Sequence, residues 1–140
     1  MEETQVVRYR TGEEFSWHYD EVPGSQLING GQRVGTFLVY LNTIAKGRGG
    51  GTIFRDLKDS SGGELTMRPK LGSALLFFPA FADGTPDDRT LHKGEIAVHE
   101  KMITQMWLHE RKYDPVIPEG NTHDGLEDLI GAKETELGFL

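Results

Sequence analysis

The chain has 140 residues, 36% of them apolar and 26% charged, with a formal net charge of −7 and no cysteine. Such a length makes one domain, since domains most often run to about 100–150 residues, and the composition is that of ordinary globular material. The acidic balance argues against generic nucleic-acid binding, which needs a basic face, and the missing thiols exclude disulfides, thiolate catalysis and zinc–thiolate sites.

In chain order, Met1-Glu2-Glu3-Thr4 has neither the basic start nor the apolar run of a signal peptide. Apolar residues then alternate with period two in short runs broken by Gly, Asp and Pro, which predicts strands over Thr4–Arg10, Glu14–His18, Gly35–Asn42, Gly51–Phe54, Gly63–Met67, Ser73–Pro79, His92–Val98 and Lys101–Glu110. The connections Gly47-Arg48-Gly49-Gly50-Gly51 and Ser61-Gly62-Gly63 are turns by composition. Eight short strands of this kind read as a double-sheet jelly roll or a small barrel, an all-β domain over 4–113. Past Asp114-Pro115 the pattern changes: Leu126, Leu129, Ile130, Lys133 and Leu137 predict one short amphipathic helix near Gly125–Glu136, in a tail over 114–140. No stretch approaches the ~20 apolar residues of a membrane span, so a soluble protein is expected, and the lack of Cys is compatible with the cytoplasm.

His18 and Asp20 stand two apart on an extended run, so both point to one face while Trp17 and Tyr19 point to the other. A His-x-Asp alone is a weak signal, because a single His is more often a surface or core residue than a ligand. What changes the reading is the ordered set: His18, Asp20, a long β-rich interval, His92, and Lys101 nine residues further on. Two imidazoles and one carboxylate on one face of an octahedral ion are the ligand set of non-haem Fe(II) oxygenases. A bare metal site has no use for the cation, but the free carboxylate of a dicarboxylic co-substrate does.

The other histidines differ. His99 falls in a turn and reads as exposed, and His123 lies in the polar tail as a bystander. His109 shares strand parity with Lys101, Ile103, Gln105 and Trp107, a polar and aromatic row suited to a small acid. Other motifs fail. His99-Glu100 has Ile103, and His109-Glu110 has Tyr113, where a zinc-protease helix needs its second His. No Gly-x-Ser-x-Gly elbow is present, and the Gly47–Gly51 run lacks the Gly-Lys-Ser/Thr ending of a phosphate loop.

Four blocks of residues resemble the prolyl 4-hydroxylase branch of the 2-oxoglutarate/Fe(II) dioxygenases. Val7–Asp20 resembles that family's Tyr-x-x-Gly…His-x-Asp entry, and Arg33–Asn42 its central strand. Gly49–Phe54 resembles the following Gly-Gly-x-Thr turn and strand, and Asp88–Gly94 through Lys101 and Trp107 the distal His and lysine block. Together they cover roughly residues 4–113. The resemblance implies a double-stranded β-helix in which His18, Asp20 and His92 hold Fe(II). It implies that 2-oxoglutarate chelates the metal and meets Lys101 with its far carboxylate, with Tyr9, Thr36, Tyr40 and Gln105 around it. It also implies Arg33, Trp107 and His109 as substrate-binding residues, a proline-containing peptide or protein as substrate, O2 as oxidant and ascorbate as a conceivable reductant. The expected reaction is hydroxylation of a peptidyl proline with decarboxylation of 2-oxoglutarate to succinate. Gln105 stands where relatives usually carry Thr, so the pocket floor is expected to differ. The apolar row Phe37, Val39 and Leu41 is expected to need a cover: the C-terminal helix, a second copy, or an upstream domain of a longer protein.

Two alternatives stay open on the residues alone. The same mechanism can act on another protein side chain or a small molecule, and a jelly roll can keep the look of the site as a non-catalytic binding module. A cupin-like metal enzyme without co-substrate is a third reading, but it leaves Lys101 without a task.

Overall fold

Alternation in the last strand shows where the core lies. Along Lys101–His109 the residues Lys101, Ile103 and Trp107 are buried, whereas Leu108 is exposed. One packed face on an extended segment produces that pattern. The computed structural model describes residues 1–115. Its strands are β1 (Gln5–Tyr9), β2 (Phe15–His18), β3 (Arg33–Tyr40), β4 (Thr52–Lys58), β5 (Glu64–Met67), β6 (Ala74–Phe77), β7 (His92–Gly94) and β8 (Lys101–His109). All eight expected strands form. The helix expected near Gly125–Glu136, with His123 before it, lies outside the described residues.

The strands make two four-stranded antiparallel sheets, ordered β1-β8-β3-β6 and β2-β7-β4-β5. Apart from the β4–β5 hairpin, consecutive strands alternate between the sheets, as in a jelly roll. Leu38 and Tyr40 of β3, Phe54 of β4, Leu75 and Phe77 of β6 and Ile103 of β8 form the core between them. Each such side chain contributes about 1.5–3 kcal/mol by leaving water. No helix among the described residues is long and apolar enough to cross a membrane.

Two departures from the expected elements have local causes. β7 stops at Gly94, four residues before the expected end at Val98. Beyond it the chain bonds to the glycine turn instead of a strand: Glu95 N–H donates to Gly51 O, and Gly50 N–H to Ile96 O. Gly49 has φ +70° there, and a Cβ would collide with the Ile96 carbonyl, so glycine is required. The expected row Phe37, Val39, Leu41 is shortened as well, because β3 ends at Tyr40. Phe37 and Val39 lie half-buried on the outer face, near exposed Val6 and Leu76.

Candidate metal centre

β2 and β7 pair so that His18 stands directly opposite His92, and a register shift between Phe15 and His18 turns the end of β2 toward that partner. The two imidazoles lie 4.1 Å apart between ring centroids. Asp20 follows two residues past β2 and is 6% exposed. Its Oδ1 lies 3.5 Å from His18 Nε2 and 3.7 Å from His92 Nε2. Ligand atoms of the three residues all fall within 4.8 Å of one another, close enough to share one cation.

Both imidazoles are oriented by the same device. His18 Nδ1 is 2.7 Å from the Ser16 carbonyl, and His92 Nδ1 is 2.9 Å from the Thr90 carbonyl. A proton on each Nδ1 then donates to a carbonyl and leaves each Nε2 lone pair aimed at the shared point. Phe54 and Phe77 pack on the His92 ring at 5.4 and 4.9 Å. Burial pushes the His92 pKa below its ordinary value, which favours the neutral imidazole a metal requires.

The second oxygen of Asp20 is occupied by protein donors. Oδ2 accepts from Thr36 Oγ1 at 2.7 Å and from Trp107 Nε1 at 3.1 Å. Thr36 and Trp107 are cross-strand partners on β3 and β8, so one register places both donors. Thr36, expected beside the co-substrate, and Trp107, expected on the substrate, thus both bond the carboxylate that faces the imidazoles.

Lys101 occupies the other end of the same inner row and is 2% exposed. Tyr9 is its cross-strand partner on β1, and the Nζ lies 5.0 Å from the Tyr9 ring and 5.9 Å from the Tyr40 ring. No carboxylate comes within ion-pairing distance of this ammonium among the described residues. Burial lowers its pKa to about 8, and the more distant Glu95 offsets that only in part. Gly94 leaves room beside it, since a Cβ there would sit 3.6 Å from Nζ. Burial also raises the Tyr9 hydroxyl pKa, with the Asp20 charge adding to the effect. Tyr40, expected at the co-substrate, is fully buried and donates its hydroxyl hydrogen to Thr52 Oγ1 at 2.8 Å, with the Met67 carbonyl at 3.2 Å. Gln105 is half-buried on this row, opposite Leu38.

Arg33 and His109 pair across β3 and β8 near the metal end. The Arg33 guanidinium lies 4.0 Å over the Trp107 ring and reaches the Asp20 carbonyl at 3.4 Å. The sequence reading missed their common partner, Glu2. Its carboxylate accepts from Arg33 Nε at 2.6 Å and Nη2 at 2.9 Å, and lies 2.7 Å from His109 Nε2. Burial raises the Glu2 pKa, but hydrogen bonds from Arg33 and His109 more than offset this and hold it below its ordinary value. An acidic residue before the first strand carries no periodic signal, so nothing in the sequence marked it. A cavity of about 860 Å³ is walled by Phe54, Phe77, Thr90 and His109 among others. Neither Lys101 nor the three candidate ligands line it.

The site fits a ferrous ion and a dicarboxylate, on two observations. Both imidazoles present Nε2 beside a carboxylate oxygen, and a buried ammonium has no anion beside it among the described residues. Comparison with known proteins agrees. The family model described as "2OG-Fe(II) oxygenase superfamily" matches residues 4–109. "Prolyl 4-hydroxylase 2" of Arabidopsis thaliana is 33% identical over 89% of this chain and 45% of its own length. "Probable prolyl 4-hydroxylase 4" of the same plant is 32% identical over 88% and 47%. The chain therefore spans about half the length of the curated relatives it matches. A viral collagen prolyl hydroxylase from Paramecium Bursaria Chlorella virus-1, solved as its 2OG complex, superposes with a TM-score of 0.66 at 31% identity, covering 78% of this chain and 59% of that one.

Proposed function

This chain belongs to the 2OG-Fe(II) oxygenase superfamily, and from that premise we propose that it is the catalytic domain of a prolyl 4-hydroxylase. The proposed reaction hydroxylates a proline in a peptide or protein and converts 2-oxoglutarate to succinate and CO2. The observation that carries this reading is the joint presence of the His18/Asp20/His92 cluster and the buried Lys101 ammonium, without an ion pair among the described residues. When bound, Fe(II) with 2-oxoglutarate supplies the oxidising power that activates O2 against a C–H bond.

What the protein supplies is position. His18 Nε2, His92 Nε2 and Asp20 Oδ1 would hold the ion. Thr36 and Trp107 fix the Asp20 carboxylate. Lys101 would receive the far carboxylate of 2-oxoglutarate in a charge-assisted bond that its burial strengthens. The Tyr9 ring lies beside that ammonium, burial keeps its hydroxyl protonated at neutral pH, and in this reading that hydroxyl would donate to the same carboxylate. Of the two residues expected on the substrate, Arg33 keeps part of its side chain exposed at the metal end and could meet the incoming peptide. His109, buried with both ring nitrogens engaged, acts by holding Glu2.

Anaerobic addition of Fe(II) and 2-oxoglutarate should produce the weak visible charge-transfer band of the chelate. Proline-rich peptides should then give succinate together with a +16 Da product under O2. A chelate band without any product from such peptides would leave the oxygenase and remove the prolyl substrate. No band at all would remove both.

A further inference from the structure

We infer that Glu2 is a positioning residue for the metal centre, acting on Asp20 through Arg33 and Trp107. Trp107 can donate to Asp20 Oδ2 only if its indole keeps one tilt. The face of that indole is covered by the Arg33 guanidinium at 4.0 Å. A guanidinium stacked on an aromatic ring is free to slide or swing unless its in-plane N–H groups are tied. Glu2 ties two of them in a bidentate fork, at 2.6 and 2.9 Å, and the third nitrogen reaches the Asp20 carbonyl.

Glu2 is held in turn. Its backbone N–H donates to the Trp107 carbonyl at 2.9 Å, and its Oε1 faces His109 Nε2. His109 is fixed from its other side, with Nδ1 3.0 Å from the Gly31 carbonyl and the ring stacked on Tyr113 at 4.6 Å. The connections close a ring: Glu2 side chain to Arg33, Arg33 to the Trp107 indole, and the Trp107 backbone to Glu2 again. Side-chain exposures of 12% for Glu2, 23% for Arg33 and 2% for His109 keep the ring largely out of water, so it is screened less than a surface pair. An ordinary surface ion pair would have none of the links to Trp107.

The inference rests on the metal reading above, and the test separates the two. Metal-free protein is titrated anaerobically with Co(II) alone, reading both affinity and the visible d–d band, in the parent, Glu2→Gln, Trp107→Phe and the double variant. The expected result is a loss of affinity on the order of threefold to tenfold in Glu2→Gln, with a changed band. Trp107→Phe should lose on the order of tenfold, and adding Glu2→Gln to it should cost less than it does in the parent, since only the Arg33 link to the Asp20 carbonyl then remains. An unchanged affinity and band in Glu2→Gln overturns the inference. So does an equal further loss in the Trp107→Phe background, which would mean that Glu2 supports the fold generally. Should Glu2→Gln fail to fold, Arg33→Lys, which keeps the charge and loses the fork, must show the same weakening or the inference falls. If the parent itself takes up no Co(II), the metal reading falls first.

Discussion

The two ends of the inner row on β8 treat buried charge in opposite ways. At the Trp107 end, Asp20 has both oxygens assigned, one to Thr36 and Trp107 and the other to the point shared by His18 and His92. At the other end Lys101 is also buried, and among the described residues its ammonium faces the rings of Tyr9 and Tyr40 with no carboxylate at ion-pairing distance. A carboxylate surrounded by donors is pre-organised for a resident ion. An ammonium without an anion is a cost that a visiting dicarboxylate relieves. Held so differently, the two groups should fail differently when altered.

The largest expected effect breaks the metal end outright. His92→Ala should leave no Fe(II) binding measurable by anaerobic titration, while the circular dichroism of the folded protein stays close to that of the parent. Retained binding in that variant would show that the ligand assignment is wrong. Next is the lysine end. Lys101→Met should weaken 2-oxoglutarate binding by roughly 30- to 4,000-fold, the equivalent of about 2–5 kcal/mol for removing one partner of a buried charge pair, as read by calorimetry.

The same substitution should have the opposite effect on the ligand-free fold. The Lys101 pKa falls from 10.5 to about 8 on folding. The unfolded chain therefore binds more protons between those values, and stability rises with pH across that window. The cost, roughly 3 kcal/mol, is fully present below about pH 8. Urea unfolding at pH 7 should find Lys101→Met more stable than the parent by up to that amount and lacking the alkaline rise. A loss of stability at pH 7 would mean that the ammonium already has a partner.

Smaller effects sharpen the contrast. Thr36→Val keeps the shape and removes one of two donors to Asp20, so metal affinity should fall about tenfold with little change in 2-oxoglutarate affinity measured on the metal-loaded protein. Tyr40→Phe should cost about 1–3 kcal/mol in unfolding, because Thr52 and the Met67 carbonyl lose their donor, and leave 2-oxoglutarate affinity within about twofold. A large loss of that affinity instead would return Tyr40 to the co-substrate.

Much of the candidate site was legible because strands have a period of two. From His18 and Asp20 the alternation put both ligands on one face, and from Lys101 to His109 it put the ammonium, Gln105 and Trp107 on another. The eight strands followed from the same pattern and from the glycine turns. Partners across the sheets were not legible. Thr36, Tyr40 and Trp107 were marked as polar and inward, yet which acceptor each bonds depends on register between strands far apart in sequence. Glu2 shows this most clearly, since its partners lie 31 and 107 positions away.

The residues in order, with no tertiary information, settle the chemistry on offer: two imidazoles, a carboxylate and an ammonium at strand spacing, in an acidic chain without thiols. Side-chain parity is local, so it survives reading along the chain. The tertiary structure alone decides that Asp20 turns one oxygen to the imidazoles because Thr36 and Trp107 hold the other, and that Lys101 is buried without an ion pair among the described residues. Those outcomes arise where β8 packs against β1 and β3 and the two sheets close over one core, and burial is what gives each hydrogen bond, or its absence, its energetic weight.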